Sequence, residues 1–322
     1  MKRKYYISID IGATNTKFAI LSPGATIIKK KVIPTSLYES PAEFVSISYD
    51  IIQLLLREVR AKRRDIAGIG IGAPGAINSE KGIVHYFVNI RGWKEVYLKR
   101  MMEQKTRILT FVENDVNVMA LGEFHYGAGK KVKNMIGITL GSGVGSGLIL
   151  NGNIYEGADY AAGEIGHIPI AITGKRCMCG GIGCMETYVG NKYIVKRAIR
   201  EMKGRKTLIK KLIKDASRKL SPKVIYEAAK KKDRLAIKIL EDTGMYLGVC
   251  LAGVVNMLNP ELIVIGGGVS NAGHFILNAV KRTVRKRAMQ LPSKTVRIVK
   301  AKLGENAGLI GGLALVKEKS SS

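Results

Sequence analysis

Hydrophobic and polar positions along this chain follow two rhythms. Short β-branched runs read as strands at Tyr5 to Ile9, Lys17 to Leu21, Ile66 to Ile71, Ile108 to Val112, Met135 to Leu140, Leu148 to Leu150, Leu262 to Ile265 and Val296 to Val299. Longer stretches with apolar residues three and four apart read as helices. The first runs from about Pro41 to Arg64, with Phe44, Ile47, Ile51, Leu54 and Leu55 on its apolar face. Others cover Val116 to Phe124, most of Asn191 to Met257, about Asn271 to Arg287 and about Glu305 to Lys317.

Two of the strand pairs share a build. Tyr5 to Ile9 and Lys17 to Leu21 flank the turn Asp10-Ile-Gly-Ala-Thr-Asn-Thr16. Met135 to Leu140 and Leu148 to Leu150 flank Gly141-Ser-Gly-Val-Gly-Ser-Gly147. Two strand–glycine turn–strand units in one chain predict a duplicated α/β domain. No low-complexity linker separates the halves, so two packed lobes with a central cleft are expected. The small lobe takes residues 1–118 together with the C-terminal helix 305–322, and the large lobe takes 119–304. Hinges are expected near Asn117 to Glu123 and near Gly304. Strand Ile108 to Val112 runs into Glu113-Asn114-Asp115, which puts these residues where a strand feeds a helix, the edge at which open α/β sheets bind ligands.

Composition narrows the class. The 322 residues suffice for two domains, and 46% hydrophobic with 24% charged residues is the balance of a soluble globular protein. The longest apolar stretch, Met245 to Leu258, is too short to span a membrane, and the N-terminus has no signal-peptide pattern; a cytoplasmic protein is expected. The charge is lopsided, with 53 Lys+Arg against 25 Asp+Glu. Asn191 to Lys238 alone holds 18 basic and 4 acidic residues. That segment reads as a solvated face of surface helices, with a weak contact to polyanions as the sharper alternative. It has no interleaved aromatics and no recognition motif, which argues against specific nucleic-acid binding. Four cysteines are too few for a disulfide scaffold, and Cys250, alone in an apolar stretch, reads as a buried small hydrophobe.

The candidate chemistry lies in the turns. Glycines such as Gly12, Gly141 and Gly143 let backbone N–H groups approach a phosphate, and Thr14, Thr16, Thr139 and Ser142 add hydroxyl donors. Asp10, at a strand end, suits the magnesium that accompanies nucleotide phosphates, held through water. Gly266-Gly267-Gly268, after a buried strand, could pass close under an adenine or ribose, or be only a tight turn. His167, Cys177, Cys179 and Cys184 supply an imidazole and three thiolates at short spacing, a donor set for tetrahedral structural zinc. Glu164 and Glu186 flank these ligands, and such carboxylates suit a polyhydroxylated ligand.

With these motifs in place, the chain resembles the ROK sugar kinases, particularly their glucokinase-like branch. The likeness covers Asp10-Ile-Gly-Ala-Thr-Asn-Thr-Lys17, Gly72-Ala-Pro-Gly75, Asn89-Ile-Arg-Gly-Trp93, Glu113-Asn-Asp-Val-Asn117, Gly141 to Gly147, Gly163-Glu-Ile-Gly-His167 and Cys177 to Glu186. The resemblance implies the actin-like, ribonuclease H-like ATPase fold and transfer of the γ-phosphate of ATP to the 6-hydroxyl of a hexose, glucose first. It implies Asp115 as catalytic base, with Asn114, Asp115, Glu164, His167 and Glu186 contacting the sugar; Asn89 and Gly75 are weaker candidates. Lys17 joins the nucleotide-binding set, and a homodimer or dimer of dimers is expected. N-acetylmannosamine, N-acetylglucosamine, mannose and fructose stay open as substrates, and ADP or polyphosphate as donor. Some family members are sugar-sensing repressors with a helix-turn-helix ahead of the first hairpin. Only four residues precede Tyr5 here, and Asp10 and Asp115 are both intact, so an enzyme is expected. An actin-like filament ATPase would have no use for a zinc–sugar loop.

Overall fold

The computed structural model describes residues 4–86, 92–215 and 217–320. In chain order its first elements are β1 (Tyr5–Ile11), β2 (Asn15–Leu21), β3 (Ile27–Pro34), α1 (Pro41–Glu58), β4 (Ile66–Ala73), β5 (Ala76–Asn78), β6 (Ile83–Tyr86), β7 (Lys94–Val96), α2 (Leu98–Thr106), β8 (Thr110–Asn114) and α3 (Asp115–Tyr126). There follow β9 (Met135–Leu140), β10 (Val144–Leu150), β11 (Asn153–Ile154), α4 (Glu186–Val189), α5 (Asn191–Glu201), α6 (Leu208–Asp215), α7 (Pro222–Lys230) and α8 (Arg234–Leu258). The chain ends with β12 (Leu262–Gly266), α9 (His274–Arg287), α10 (Gln290–Thr295), β13 (Arg297–Lys300) and α11 (Ala307–Lys319).

The strands build two five-stranded sheets of one topology, β3-β2-β1-β4-β8 and β11-β10-β9-β12-β13, with β5, β6 and β7 in a small third sheet. β1, β4 and β8 are mutually parallel in sequence of neighbours, as are β9, β12 and β13. β2 and β3 run antiparallel to their neighbours in the first sheet. This duplicated ribonuclease H-like order is the actin-like ATPase fold that the resemblance implies, and it contains the duplication that the two hairpins predict.

Local sequence explains the element ends. Ser40 caps α1 by accepting from the Glu43 amide, and Pro41 supplies a first helical residue with φ already set. α1 stops at Glu58 rather than Arg64, where the chain turns through a left-handed Arg60 (φ 53°). The basic stretch after Asn191 divides into four helices. Pro222 starts α7 behind its cap Ser221, and the Asp233 carboxylate caps α8. β3, the small sheet and α2 have no counterpart among the predicted elements: β3 is mostly exposed, and the others are short.

The chain forms two compact units. The first contains residues 1–131, 147–163 and 302–322, and the second contains 132–146 and 164–301. The boundary expected at 118/119 falls inside α3, which lies whole within the first unit. One face of the first sheet buries Ile7, Ile9, Ile11, Phe18, Ile69 and Ile71 with Phe44, Ile52 and Leu55 of α1. Phe44 packs there edge to face with Tyr38 and Trp93, at centroid distances of 5.0 and 5.5 Å.

The opposite face is covered by α11, drawn from the far end of the chain, at backbone contact. A Cβ on Gly70 of β4 would overlap the Gly312 carbonyl, and one on Gly311 would overlap the carbonyl of Val118 in α3. A Cβ on Gly122 would lie 2.5 Å from the Ala307 oxygen. In the second unit β9 and β12 are almost wholly enclosed, and α8 packs along α9. Arg197, one of the basic stretch, is not on a solvated face. It is 7% exposed and donates to the carbonyls of Tyr188 (2.8 Å) and Ile239 (3.1 Å) and to the Thr243 hydroxyl. Among the described residues no helix is long and apolar enough to cross a membrane.

Gly311→Ala is expected to lower stability by about 1–3 kcal/mol or more, the usual cost of overpacking, because carbonyl backbone cannot move aside as a side chain can. Urea unfolding of the purified variant measures it.

Candidate active site

In the first unit, strand register assembles the polar edge. Asp10 pairs with Gly72, Gly72 with Glu113, and Ala73 with Asn114. Neighbouring strands lie about 4.8 Å apart, so the backbones at Asp10 and Glu113 are about 10 Å apart. Asp115 follows as the first residue of α3, half-buried. Its neighbour Asn114 is the helix cap. The Asn114 Oδ1 accepts from the amides of Val116 (2.9 Å) and Asn117 (3.2 Å), and its Nδ2 donates to the Gly75 carbonyl (3.0 Å). That leaves Asn114 one amide hydrogen for a ligand.

The first turn divides by role. The Lys17 Nζ sits 3.0 Å from Asp10 Oδ2 and also donates to the Glu305 carbonyl. A Cβ on Gly308 would meet the Asp10 carboxyl carbon at 2.7 Å, so the start of α11 touches this acid. Thr14 is exposed, whereas Thr16 is fully enclosed. The Thr16 hydroxyl lies 2.7 Å from Tyr38 Oη and 3.1 Å from Thr35 Oγ1, and Thr35 donates to the Gly12 carbonyl. Thr16 therefore props the turn from behind instead of facing a phosphate.

The second unit offers the matching edge. Gly266 pairs with Thr139, so the turns that leave β9 and β12 emerge side by side. Gly267, at φ 82°, lies against the backbone of Leu140, where a Cβ would overlap the carbonyl oxygen; only glycine fits. Thr139 is half-buried, Ser142 and Gly268 are exposed, and the Gly141 amide donates to the Gly143 carbonyl at 2.9 Å. Glu186, the first residue of α4, accepts from the Val144 amide through Oε2 (2.9 Å). One oxygen of this expected sugar contact is thus committed to the glycine turn.

His167, Cys177, Cys179 and Cys184 converge, with their ligand atoms all within 4.8 Å of one another. Cys177 Sγ lies 3.6 Å from His167 Nδ1, and Cys179 Sγ lies 3.7 Å from Cys184 Sγ. A tetrahedron with bonds of about 2.3 Å to sulfur and 2.05 Å to nitrogen has edges of about 3.6 Å (N to S) and 3.8 Å (S to S). The donor set fits a tetrahedral ion, and its sulfurs are free thiols. The His167 Nε2 faces the exposed Glu164, 3.8 Å from Oε2. Cys250 is buried as expected, and burial pushes its thiol up to about 12.

Asn89 lies outside the described residues. One polar contact escaped the sequence reading. Glu113 is 2% exposed, and its Oε1 accepts from the Asn114 amide (2.7 Å) and from Asn117 Nδ2 (3.0 Å). Its carboxyl also meets that of Glu156. Burial, then the hydrogen bond and charge of Glu156, push Glu113 well above the usual carboxylate range. Burial raises Glu156 too, but the contact with Glu113, the nearness of Ser79 and the charge of Lys319 outweigh it and hold Glu156 low. A glutamate closing an otherwise apolar strand was the signal available in the sequence.

Comparison with known proteins shows the family. The ROK family model matches residues 6–319. The glucokinase of Halalkalibacterium halodurans is 38% identical over 323 residues, covering 100% of this chain and 98% of that one. A solved ROK family glucokinase from Streptomyces griseus, in complex with glucose and AMPPNP, matches with a TM-score of 0.81 at 27% identity, covering 98% and 99% of the two chains. A ROK family transcriptional regulator, homologous to the E. coli Mlc protein, matches with a TM-score of 0.89 at 26% identity, covering 98% of this chain and 78% of its own.

Removing the cap with Asn114→Ala is expected to cost about 0.5–2 kcal/mol of stability, while Asn114→Asp, which still caps, keeps most of it. Chemical denaturation of both variants checks the difference.

Proposed function

The chain belongs to the ROK family, and on that premise we propose that it is an ATP-dependent sugar kinase phosphorylating the 6-hydroxyl of a hexose, glucose first. The observation that carries the reading is Asp115: a half-buried carboxylate at the first position of α3, on the sheet edge that also presents Asp10. The glucokinase relative, with near-complete coverage in both directions, supports glucose as substrate. The glucokinase complex with an ATP analogue supports ATP as donor.

In this reading Asp115 accepts the proton of the sugar hydroxyl as its oxygen attacks the γ-phosphate in line. The side-by-side turns at Gly141–Gly143 and Gly266–Gly268 serve the nucleotide, with Thr14, Thr139 and Ser142 as hydroxyl donors and Gly12 and Lys17 completing the set. Asp10 is the carboxylate available to magnesium, which when bound supplies positive charge against the phosphates; its pairing with Lys17 leaves one oxygen for a water-mediated contact. Glu164, His167, Glu186, Asn114 and Asn89 are proposed to hold the sugar. His167, Cys177, Cys179 and Cys184 would hold a structural zinc that fixes the segment leading into Glu186. A cytoplasmic enzyme, dimeric or a dimer of dimers, completes the proposal.

A second reading, a sugar-responsive transcription repressor, is raised by the regulator structure. A coupled assay over a hexose panel with ATP, ADP and polyphosphate separates the two, since a repressor gives no turnover with any pair.

Asp115→Asn is expected to lower kcat by about 10²–10⁴ while glucose binding, followed by calorimetry, persists. Near-normal turnover would sink the assignment of the base. Metal analysis of the purified protein is expected to find one zinc per chain, lost in Cys184→Ser together with a rise in sugar KM. Full zinc loss with unchanged KM would remove the scaffold role.

A further inference from the structure

Two acids are wholly enclosed among the described residues, Glu113 and Glu123. Glu123 has N–H donors on both oxygens, from Leu303 (2.7 Å) and Ala128 (2.9 Å), the arrangement expected of a buried carboxylate. Glu113 differs. Two N–H groups converge on its Oε1, and the remaining neighbour is another carboxyl, Glu156. Two carboxylates in contact inside a protein do not both ionise, because neither repulsion nor desolvation is offset. Glu156 is the more accessible of the two, and its contact with Glu113, the nearness of Ser79 and the charge of Lys319 hold it low.

We propose that Glu113 is a positioning residue for Asp115, sharing one proton with Glu156 while it gathers the start of α3. The inference rests on the reading of Asp115 as base. The donors bonded to Glu113 belong to Asn114 and Asn117, which bracket Asp115 in the chain, and Asn114 in turn caps the helix and reaches the Gly75 carbonyl. Asp115 is therefore held from both sides in the first turn. The neutral carboxyl of Glu113 can accept through one oxygen and donate its proton to Glu156 with the other. No proton leaves the pair during turnover; it is a structural hydrogen bond behind the base.

Infrared spectroscopy tests the shared proton without reference to Asp115. At pH 7 the wild type should show the carbonyl stretch of a protonated carboxyl group. Glu113→Gln should abolish it, as should Glu156→Gln, whose amide would donate to an ionised Glu113. No such band, or a band untouched by both substitutions, overturns the shared proton. Kinetics test the positioning. Glu113→Gln keeps the accepting oxygen and a donor toward Glu156, and should retain most of kcat. Glu113→Asp draws the acceptor away from Asn117 and should lose about 10–100-fold in kcat with sugar KM little changed, as an ångström-scale misplacement does. Loss of kcat in Glu113→Gln as large as in Glu113→Asp overturns the proposal, and so does full activity in Glu113→Asp. Asp115→Asn, assayed alongside, separates the two failures: normal turnover there defeats the choice of base and leaves the infrared result standing.

Discussion

The first unit depends on one contact, the backbone-to-backbone packing of α11 against β4 and α3. Glycines on both sides make it possible, and side chains of any size would force the helix off the sheet. The contact does more than bury Leu309 and Leu313. It brings the first turn of α11 to Asp10 through Gly308, and the carbonyl of Glu305 to the ammonium of Lys17. It also braces α3, the helix that starts with Asp115. Residues between 185 and 298 positions apart thus fix the two acids on one sheet edge.

In the second unit the corresponding organiser is polar. The segment carrying His167, Cys177, Cys179 and Cys184 runs directly into α4, and Glu186 at the start of α4 reaches the Val144 amide in the glycine turn. A tetrahedral ion in that thiol–imidazole group would therefore set the position of the turn as well as that of the acid. Buried charge is matched by hydrogen-bond partners in the same way. Arg197 joins α5 to α4 and α8 through the carbonyls of Tyr188 and Ile239, and Glu123 ties the end of α3 to residues 128 and 303.

The sequence by itself determined the duplicated α/β domain, the two glycine turns, the histidine–cysteine cluster and Asp115 at a strand–helix junction. These are local features: hydrophobic period, turn chemistry and short-range spacing fix them within a few residues. Elements that lack such local signals, among them exposed β3, the short strands β5, β6, β7 and β11, and the short helices α2, α4 and α10, escaped it. Tertiary structure alone decided which polar groups are spent on the fold. Thr16 points inward because Tyr38 and Thr35 wait behind it, and Asn114 is occupied as a cap. Glu113 is pushed above the usual carboxylate range by burial first and then by Glu156, which arrives from 43 residues away in sequence. Burial and hydrogen-bond partners are properties of the assembled chain, and a one-dimensional pattern does not contain them.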